Sequence, residues 1–169
     1  MIIRDNLLTP KGFDDLKEQV IYNKQLPWFW RNSKVRESDL IQSLVHPVYA
    51  NMKPMSDYFN LIHTYFSVPL DITTWYRIKI NCTWKSSEQT VFGWHTDFTD
   101  NEEPRKFKAM KTALFYCSDT NGPTAFEESG EKVECISNRL LCFDSLLDHS
   151  GISHTEGDER RIVINFNYF

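Results

Sequence analysis

Long apolar runs are missing from this chain. No stretch approaches the roughly 20 consecutive apolar residues of a membrane-spanning helix, so no membrane association is expected. The first residues, Met1 to Leu16, carry acidic side chains early and no extended apolar core, which does not read as a secretory signal. An excess of positive charge is missing too. Lys and Arg number 19 against 23 Asp and Glu, for a formal charge of −4, so nothing in the overall charge favours gripping a phosphate backbone. That balance disfavours nucleic acid as a partner and leaves room only for a local basic groove. Cysteines are few. Cys82, Cys117, Cys135 and Cys142 form no CxxC pair, which argues against a zinc ribbon or a thioredoxin-type site. Their neighbours are apolar and strand-like. They are expected as reduced thiols, two or three of them buried, in a reducing compartment: the cytoplasm, or a host cytoplasm if the chain is viral. A disulfide stays compatible with the sequence. Internal repeats, low-complexity tracts and linkers are absent, and 169 residues suit one domain. Oligomeric state is left open.

Aromatic residues are plentiful at 14%, with five Trp and twelve Phe, which suits a sheet core. Residues 1–68 read as mainly helical. Thr9-Pro10 looks like an N-cap followed by proline in the first turn, and Phe13, Leu16, Val20 and Ile21 follow with helical period. A second helical stretch begins near Pro54, with Met55, Tyr58, Phe59, Ile62 and Phe66 on one face. Between them, Pro27-Trp28-Phe29-Trp30 fits no period; it reads first as a core plug and second as a wall of a pocket. From residue 72 the pattern changes to short β-branched and aromatic segments at 72–83, 91–97, 112–117, 124–126, 132–136, 140–143 and 161–169. Turn signals separate them at Asn121-Gly122-Pro123, Ser129-Gly130, Ser137-Asn138 and Gly157-Asp158. Helix first and antiparallel sheet afterwards predicts a mainly β, α+β chain with helices packed on one face. Residues 1–169 form one domain in this reading, with a helical part at 1–68 and a β core at 69–169.

Three places carry chemistry. In His95-Thr96-Asp97, residues i and i+2 of a strand share a face, so imidazole and carboxylate project together. Alone, such a triplet reads as a strand end with a surface Asp. His149 follows 52 residues after Asp97 beside the small Ser150 and Gly151. Two histidines and one carboxylate on one face of a metal leave open positions, the arrangement suited to non-haem Fe(II); zinc accepts the same ligands. Arg161 opens a final strand, 12 residues past His149. Alternation puts Arg161, Val163, Asn165 and Asn167 on one face and Ile162, Ile164, Phe166 and Tyr168 on a core face. A guanidinium on the polar face suits bidentate capture of a carboxylate; the plain reading of an arginine in isolation is a surface salt bridge. Arg160 points the other way and is expected in solvent.

The order HxD, distal His, and Arg opening a last strand resembles the 2-oxoglutarate/Fe(II) oxygenase superfamily. More narrowly it resembles small prolyl-hydroxylase-like oxygenases of marine phages, through Arg77-Ile78-Lys79-Ile80-Asn81, His95-Thr96-Asp97-Phe98, Asn121-Gly122-Pro123-Thr124, residues 138–144 and the terminal Ile164-Asn165-Phe166-Asn167-Tyr168-Phe169. The resemblance covers residues 72–169 and extends loosely to Asp5-Asn6-Leu7-Leu8 and Pro27-Trp28. It implies a double-stranded β-helix of jelly-roll or cupin type. It implies Fe(II) held by His95, Asp97 and His149, with 2-oxoglutarate anchored by Arg161 and supported by Tyr116. Asn165, on the same face as Arg161, is grouped with these contacts. Relatives often carry a tyrosine after the Lys-Ile-Asn strand, where this chain has Cys82-Thr83-Trp84; Thr83 is the candidate replacement. Dioxygen as co-reactant, stimulation by ascorbate, and release of succinate and CO2 follow from the resemblance. So does hydroxylation of a C–H bond in a peptidyl, for instance prolyl, or small-molecule substrate. The intact Asp97 favours hydroxylation over halogenation. Residues 85–94 and 99–108 are candidate lids or plain connections.

Rivals exist for each role. His154 would be the alternative third ligand, but it stands only seven residues before Arg161. Asp144 and Asp148 read as turn residues, and His46 and His63 as structural. Two other classes stay in play. One is a non-catalytic metal- or ligand-binding barrel, which loss of a ligand or of Arg161 would have indicated. The other is a zinc hydrolase, for which no helical histidine motif with a general base is present.

Overall fold

A computed structural model describes residues 1–31, 42–97 and 109–169. In chain order the elements are β1 (Ile2–Arg4), α1 (Pro10–Val20), β2 (Phe29–Arg31), β3 (Ser43–Ala50), β4 (Lys53–Pro54), α2 (Phe59–Phe66), β5 (Trp75–Trp84), β6 (Lys111–Tyr116), β7 (Thr120–Phe126), β8 (Lys132–Cys135), β9 (Arg139–Asp144), β10 (His149–Gly151) and β11 (Arg160–Tyr168). The larger sheet runs β1-β9-β6-β11-β5-β3-β2, with β4 paired to β3. The smaller runs β10-β7-β8. Antiparallel bridges Val91–Ile152 and His95–His149 add residues 91–95 outside β10. The described residues are thus mainly β, two antiparallel sheets facing each other as a jelly-roll-like sandwich, with two helices.

Alternation along the strands builds two cores. On the outer face of the larger sheet, Ile78 and Ile80 of β5, Phe115 of β6, and Ile162, Ile164 and Phe166 of β11 are buried with Phe13, Leu16 and Val20 of α1 and Ile62 and Phe66 of α2. Thr9 caps α1 by accepting from the Gly12 N–H at 3.2 Å, and Pro10 sits in the first turn. Between the sheets, Leu114, Tyr116, Leu141, Phe143 and Val163 meet Phe126 and Val133. The final strand behaves as its alternation predicts, apolar residues outward and Arg161, Val163, Asn165 and Asn167 inward.

Elsewhere the sequence reading is corrected. Residues 1–68 are not mainly helical: four strands lie there, and His46 is on β3. Pro47 sits inside that strand, next to a register irregularity between Pro47 and Tyr49, which lets the ladder dispense with its missing N–H. The second helix starts at Phe59 because Asn51 (φ 53°) and Met52 (φ 59°) form a tight turn that pairs β4 with β3. Asn121-Gly122-Pro123 is not a turn between strands. It is an irregularity within β7, between Thr120 and Thr124. Gly122 is needed there because a Cβ would come 2.6 Å from the Ile152 carbonyl oxygen. Trp28 packs on the core, whereas Phe29 and Trp30 are exposed on the edge strand. Residues 99–108 and Phe98 lie outside the described residues. The four cysteines are free thiols, three of them buried. Among the described residues no helix is long and apolar enough to cross a membrane.

Phe166 is fully buried, with its ring centroid 4.8 Å from that of Phe66 and 5.6 Å from that of Trp75. Phe166→Ala leaves a cavity where helix, sheet and Trp75 meet, and is expected to cost about 3–5 kcal/mol. Val68→Ala, at an exposed site, is expected within about 0.5 kcal/mol of wild type. Guanidinium unfolding of both variants measures the difference.

Candidate metal centre

His95 and His149 face each other across the smaller sheet. Each backbone N–H donates to the other's carbonyl, at 3.1 and 3.0 Å. Residues directly opposite in an antiparallel pair share a face, and the two rings stand 4.6 Å apart between centroids. The Nδ1 of His95 lies 3.1 Å from the Gly93 carbonyl oxygen, and that of His149 lies 2.9 Å from the Leu147 oxygen. A carbonyl only accepts, so each Nδ1 carries the hydrogen and each Nε2 keeps its lone pair. Burial, followed by repulsion from His149, lowers His95 to about 4, which keeps it neutral and able to ligate. Asp97 completes the group: one donor atom from each of His95, Asp97 and His149 lies within 4.8 Å of the others.

The carboxylate of Asp97 is buried and held from four strand positions. Thr112 of β6 donates to Oδ2 at 2.8 Å and Asn167 of β11 at 2.9 Å. Arg77 of β5 donates to Oδ1 at 3.0 Å. Asn165 Nδ2 stands 3.5 Å from both oxygens, at the limit of hydrogen bonding. Asn167 also accepts from Arg77 Nε at 2.9 Å and donates to Thr112 at 2.9 Å. The two short bonds occupy both lone pairs of Oδ2, whereas Oδ1, bonded by Arg77, keeps one lone pair. Burial opposes the charge, but Lys79, His149 and Arg77, with the Asn167 hydrogen bond, outweigh it and hold Asp97 well below the usual carboxylate range.

A narrow cleft of about 60 Å³ between the sheets is lined by His95, His149 and Arg161. Arg161 is buried, donating from Nε to the Gly122 carbonyl at 2.8 Å and from Nη2 to Thr124 Oγ1 at 3.3 Å. Its guanidinium carbon lies 5.7 Å from the Tyr116 ring centroid. Tyr116 donates to the same Thr124 oxygen at 2.8 Å, and burial pushes its phenol up to about 12. Asn165 lines the cleft, and its buried Oδ1 has no partner among the described residues. Thr83 is in register with Arg161, its buried hydroxyl also without a partner among the described residues, and borders an adjoining hollow with Trp84 and Phe92.

The rivals fall elsewhere. His154 is buried with Nε2 3.0 Å from the Asp158 carbonyl oxygen. His46 bridges the Pro27 carbonyl and Ser56, both at 2.8 Å. His63 accepts from Trp75 Nε1 at 3.0 Å. Asp144 accepts from the Leu146 N–H in a turn and lies 3.7 Å from Lys111. Asp148 is exposed in the loop before β10. Arg160 is not simply solvated: it donates to the Ile21 carbonyl at the end of α1 at 3.1 Å. Sequence reasoning missed Arg77, Thr112, Thr124 and Lys79 as neighbours of the site. Alternation along β5 was the available signal for Arg77 and Lys79.

The two-residue spacing and the facing pair make His149, not His154, the partner of His95. His149→Ala is expected to abolish high-affinity Mn(II) or Co(II) binding, with His154→Ala close to wild type. Asn167→Ala, which frees Oδ2, is expected to weaken metal binding by about 10- to 100-fold. Calorimetric titration with each metal reads all three, and strong binding by His149→Ala would exclude this ligand set.

No protein-family profile matches the sequence, and no curated protein is similar to it in sequence. The three-dimensional arrangement does have relatives. A 2OG-Fe(II) oxygenase family oxidoreductase from Burkholderia pseudomallei superposes with a TM-score of 0.64 at 13% identity, over 92% of this chain and 78% of that one. A prolyl hydroxylase from Trichoplax adhaerens, in complex with a hypoxia inducible factor peptide fragment, gives 0.66 at 17% identity, over 99% and 82%. HygX from Streptomyces hygroscopicus, with nickel, 2-oxoglutarate and hygromycin B bound, gives 0.65 at 11%, over 99% and 81%. The chain therefore has the fold of the 2-oxoglutarate/Fe(II) oxygenases, at an identity where fold alone is shared.

Proposed function

We propose that the chain is an Fe(II)- and 2-oxoglutarate-dependent oxygenase that hydroxylates a C–H bond of a peptidyl, for instance prolyl, or small-molecule substrate. In this reading residues 1–169 form one domain, and the two sheets are the halves of a double-stranded β-helix. The observation that carries it is one cleft lined by His95 and His149, which group with Asp97, and by the buried Arg161. The donor set fits the metal: two imidazoles whose Nδ1 faces a backbone carbonyl, which leaves Nε2 to the metal, and one ionised carboxylate whose Oδ1 keeps a lone pair beside its bond from Arg77. The far end fits a carboxylate. Two of the five guanidinium N–H donors of Arg161 are engaged by Gly122 and Thr124, which leaves the rest of the fork available.

Iron bound there would couple decarboxylation of 2-oxoglutarate by dioxygen, giving succinate and CO2, to insertion of the other oxygen atom into a substrate C–H bond. His95, Asp97 and His149 hold the metal, and their own hydrogen bonds fix ring and carboxylate orientation before it arrives. Arg161 fixes the far carboxylate and so the direction in which 2-oxoglutarate presents its keto acid end. Tyr116 holds Thr124 in place for Arg161. Asn165 and Thr83 complete the cosubstrate's surroundings. The substrate stays a peptide or a small molecule, since neighbours with this fold are seen with a peptide and with hygromycin B.

Two measurements test the reading. Under anaerobic conditions Fe(II) with 2-oxoglutarate is expected to give a weak visible charge-transfer band, and 2-oxoglutarate is expected to bind only when metal is present. Arg161→Ala is expected to raise the Michaelis constant for 2-oxoglutarate by the equivalent of about 2–3 kcal/mol, roughly 30- to 150-fold, through loss of a charged hydrogen-bond partner. Metal content should be unchanged, lysine should substitute poorly, and Arg160→Ala should leave 2-oxoglutarate kinetics alone. Equal succinate formation by wild type and Arg161→Ala would sink the cosubstrate assignment.

A further inference from the structure

A groove of about 580 Å³ lies between the β7–β8 hairpin turn, the turn before β10 and the start of β1, and no residue lines both it and the metal cleft. Met1, Phe126, Leu146 and Leu147 supply its apolar lining. Met1, Leu146 and Leu147 are exposed, and Ile2 and Ile3 of β1 extend the apolar surface beyond the groove. Exposed apolar side chains gathered in one place, unlike single ones scattered over a surface, mark an interaction site. The walls are tied together: the Glu127 N–H donates to the Asp148 carbonyl and the Gly130 N–H to the Phe126 carbonyl, both at 3.0 Å. The groove is therefore formed before anything enters it, and filling it costs little ordering of the protein.

The rest of the lining is acidic. Glu127, Glu128, Glu131 and Asp148 are all exposed, and the described lining contains no Lys, Arg or His side chain. Among the described residues none of the four carboxylates is in an ion pair. The stretches outside the described residues add no net charge. Residues 32–41 carry Lys34 and Arg36 against Glu37 and Asp39, and residues 98–108 carry Arg105, Lys106 and Lys108 against Asp100, Glu102 and Glu103.

Charge and topology together select the occupant. A second copy on the same face, related by a two-fold axis, would set these carboxylates against their own equivalents, which is unfavourable. Nucleic acid and anionic lipid surfaces are repelled for the same reason. The groove fits a partner that brings an apolar side chain for the lining and cations for the rim. β1 narrows the choice further. It ends the larger sheet, and among the described residues it pairs with β9 alone. Its outer backbone edge leads to Met1, at the groove. An extended polypeptide hydrogen-bonds to such an edge, and a small organic cation has no use for it.

We propose that this groove is a docking site for a basic polypeptide segment with an apolar centre. The segment lies along β1, sets its apolar side chain against Phe126, Leu146 and Leu147, and meets the four carboxylates with Lys or Arg. The apolar contact supplies affinity, and the exposed carboxylates supply steering and orientation. The Phe126 ring stands 6.4 Å from that of His149, between centroids, so the docked chain is one side chain away from a candidate metal ligand. No metal or cosubstrate takes part, and the proposal stands independently of the oxygenase reading.

Fluorescence anisotropy with a labelled nonapeptide, two central leucines flanked by lysines, tests the site. This peptide should bind about tenfold or more tightly than a version with serines for the leucines, and likewise than one with glutamates for the lysines. Leu146→Ser should weaken binding about tenfold. Glu127→Gln combined with Glu131→Gln should weaken it and flatten its dependence on salt. These variants change exposed side chains, so their thermal unfolding midpoints should match wild type. Absence of binding by the leucine–lysine peptide would overturn the proposal. Equal binding of the leucine and serine peptides would do the same, by reducing the contact to charge alone, and so would unchanged binding in both sets of variants. A dimer in sedimentation that Leu146→Ser dissociates would give the face to a second copy. Peptide binding that appears only after Arg105→Ser, Lys106→Ser and Lys108→Ser would give the groove to the chain's own residues, and either result would overturn the proposal.

Discussion

The buried carboxylate of Asp97 is the constraint from which the rest of the site follows. An ionised carboxylate taken out of water survives only if it is paired and fully hydrogen-bonded. Here the donors come from three strands of the larger sheet: Arg77 on β5, Thr112 on β6 and Asn167 on β11. Those strands are adjacent, and their register places Asn167 opposite Arg77 on one side and Thr112 on the other. A slip of one residue in either ladder would turn every one of these side chains to the opposite face. The apolar outer face excludes that slip, because it would send Ile162, Ile164 and Phe166 into the cleft. Helix packing on one side of the sheet thus secures the register of a polar network on the other.

The same division explains which parts were legible in the sequence. β11 was readable because its two faces differ in kind, Arg161, Asn165 and Asn167 against Ile162, Ile164, Phe166 and Tyr168. The HxD triplet was readable because strand spacing alone puts both groups on one face. β3 was not readable: Pro47 breaks its pattern, and its pairing depends on β5, some 30 residues later in the chain. β10 was missed because it is only three residues long, and its partners, β7 and the extended residues near His95, lie far away in sequence. Asn121-Gly122-Pro123 has the composition of a turn. The glycine is there because the Ile152 carbonyl comes close, and no local pattern records that. The donors to Asp97 were invisible for a related reason. A threonine and an arginine at inward strand positions acquire a role only when three strands are laid side by side.

The geometry also bears on what the metal group is for. A structural site closes its metal with protein ligands, whereas among the described residues the donors within reach here are three, two histidines and one aspartate. A metal hydrolase needs a carboxylate or similar base near the open positions. Asp97 has its second oxygen saturated by Thr112 and Asn167, and among the described residues the cleft is lined by cations and amides. That lining is poor for removing a proton from water and well suited to holding acids. A buried arginine held by a backbone carbonyl and a threonine, lining the same cleft, has little purpose in a barrel that only binds metal. In the proposed reading it would orient a carboxylate whose other end reaches the metal, and the arginine and the His-Asp-His group would then be parts of one device.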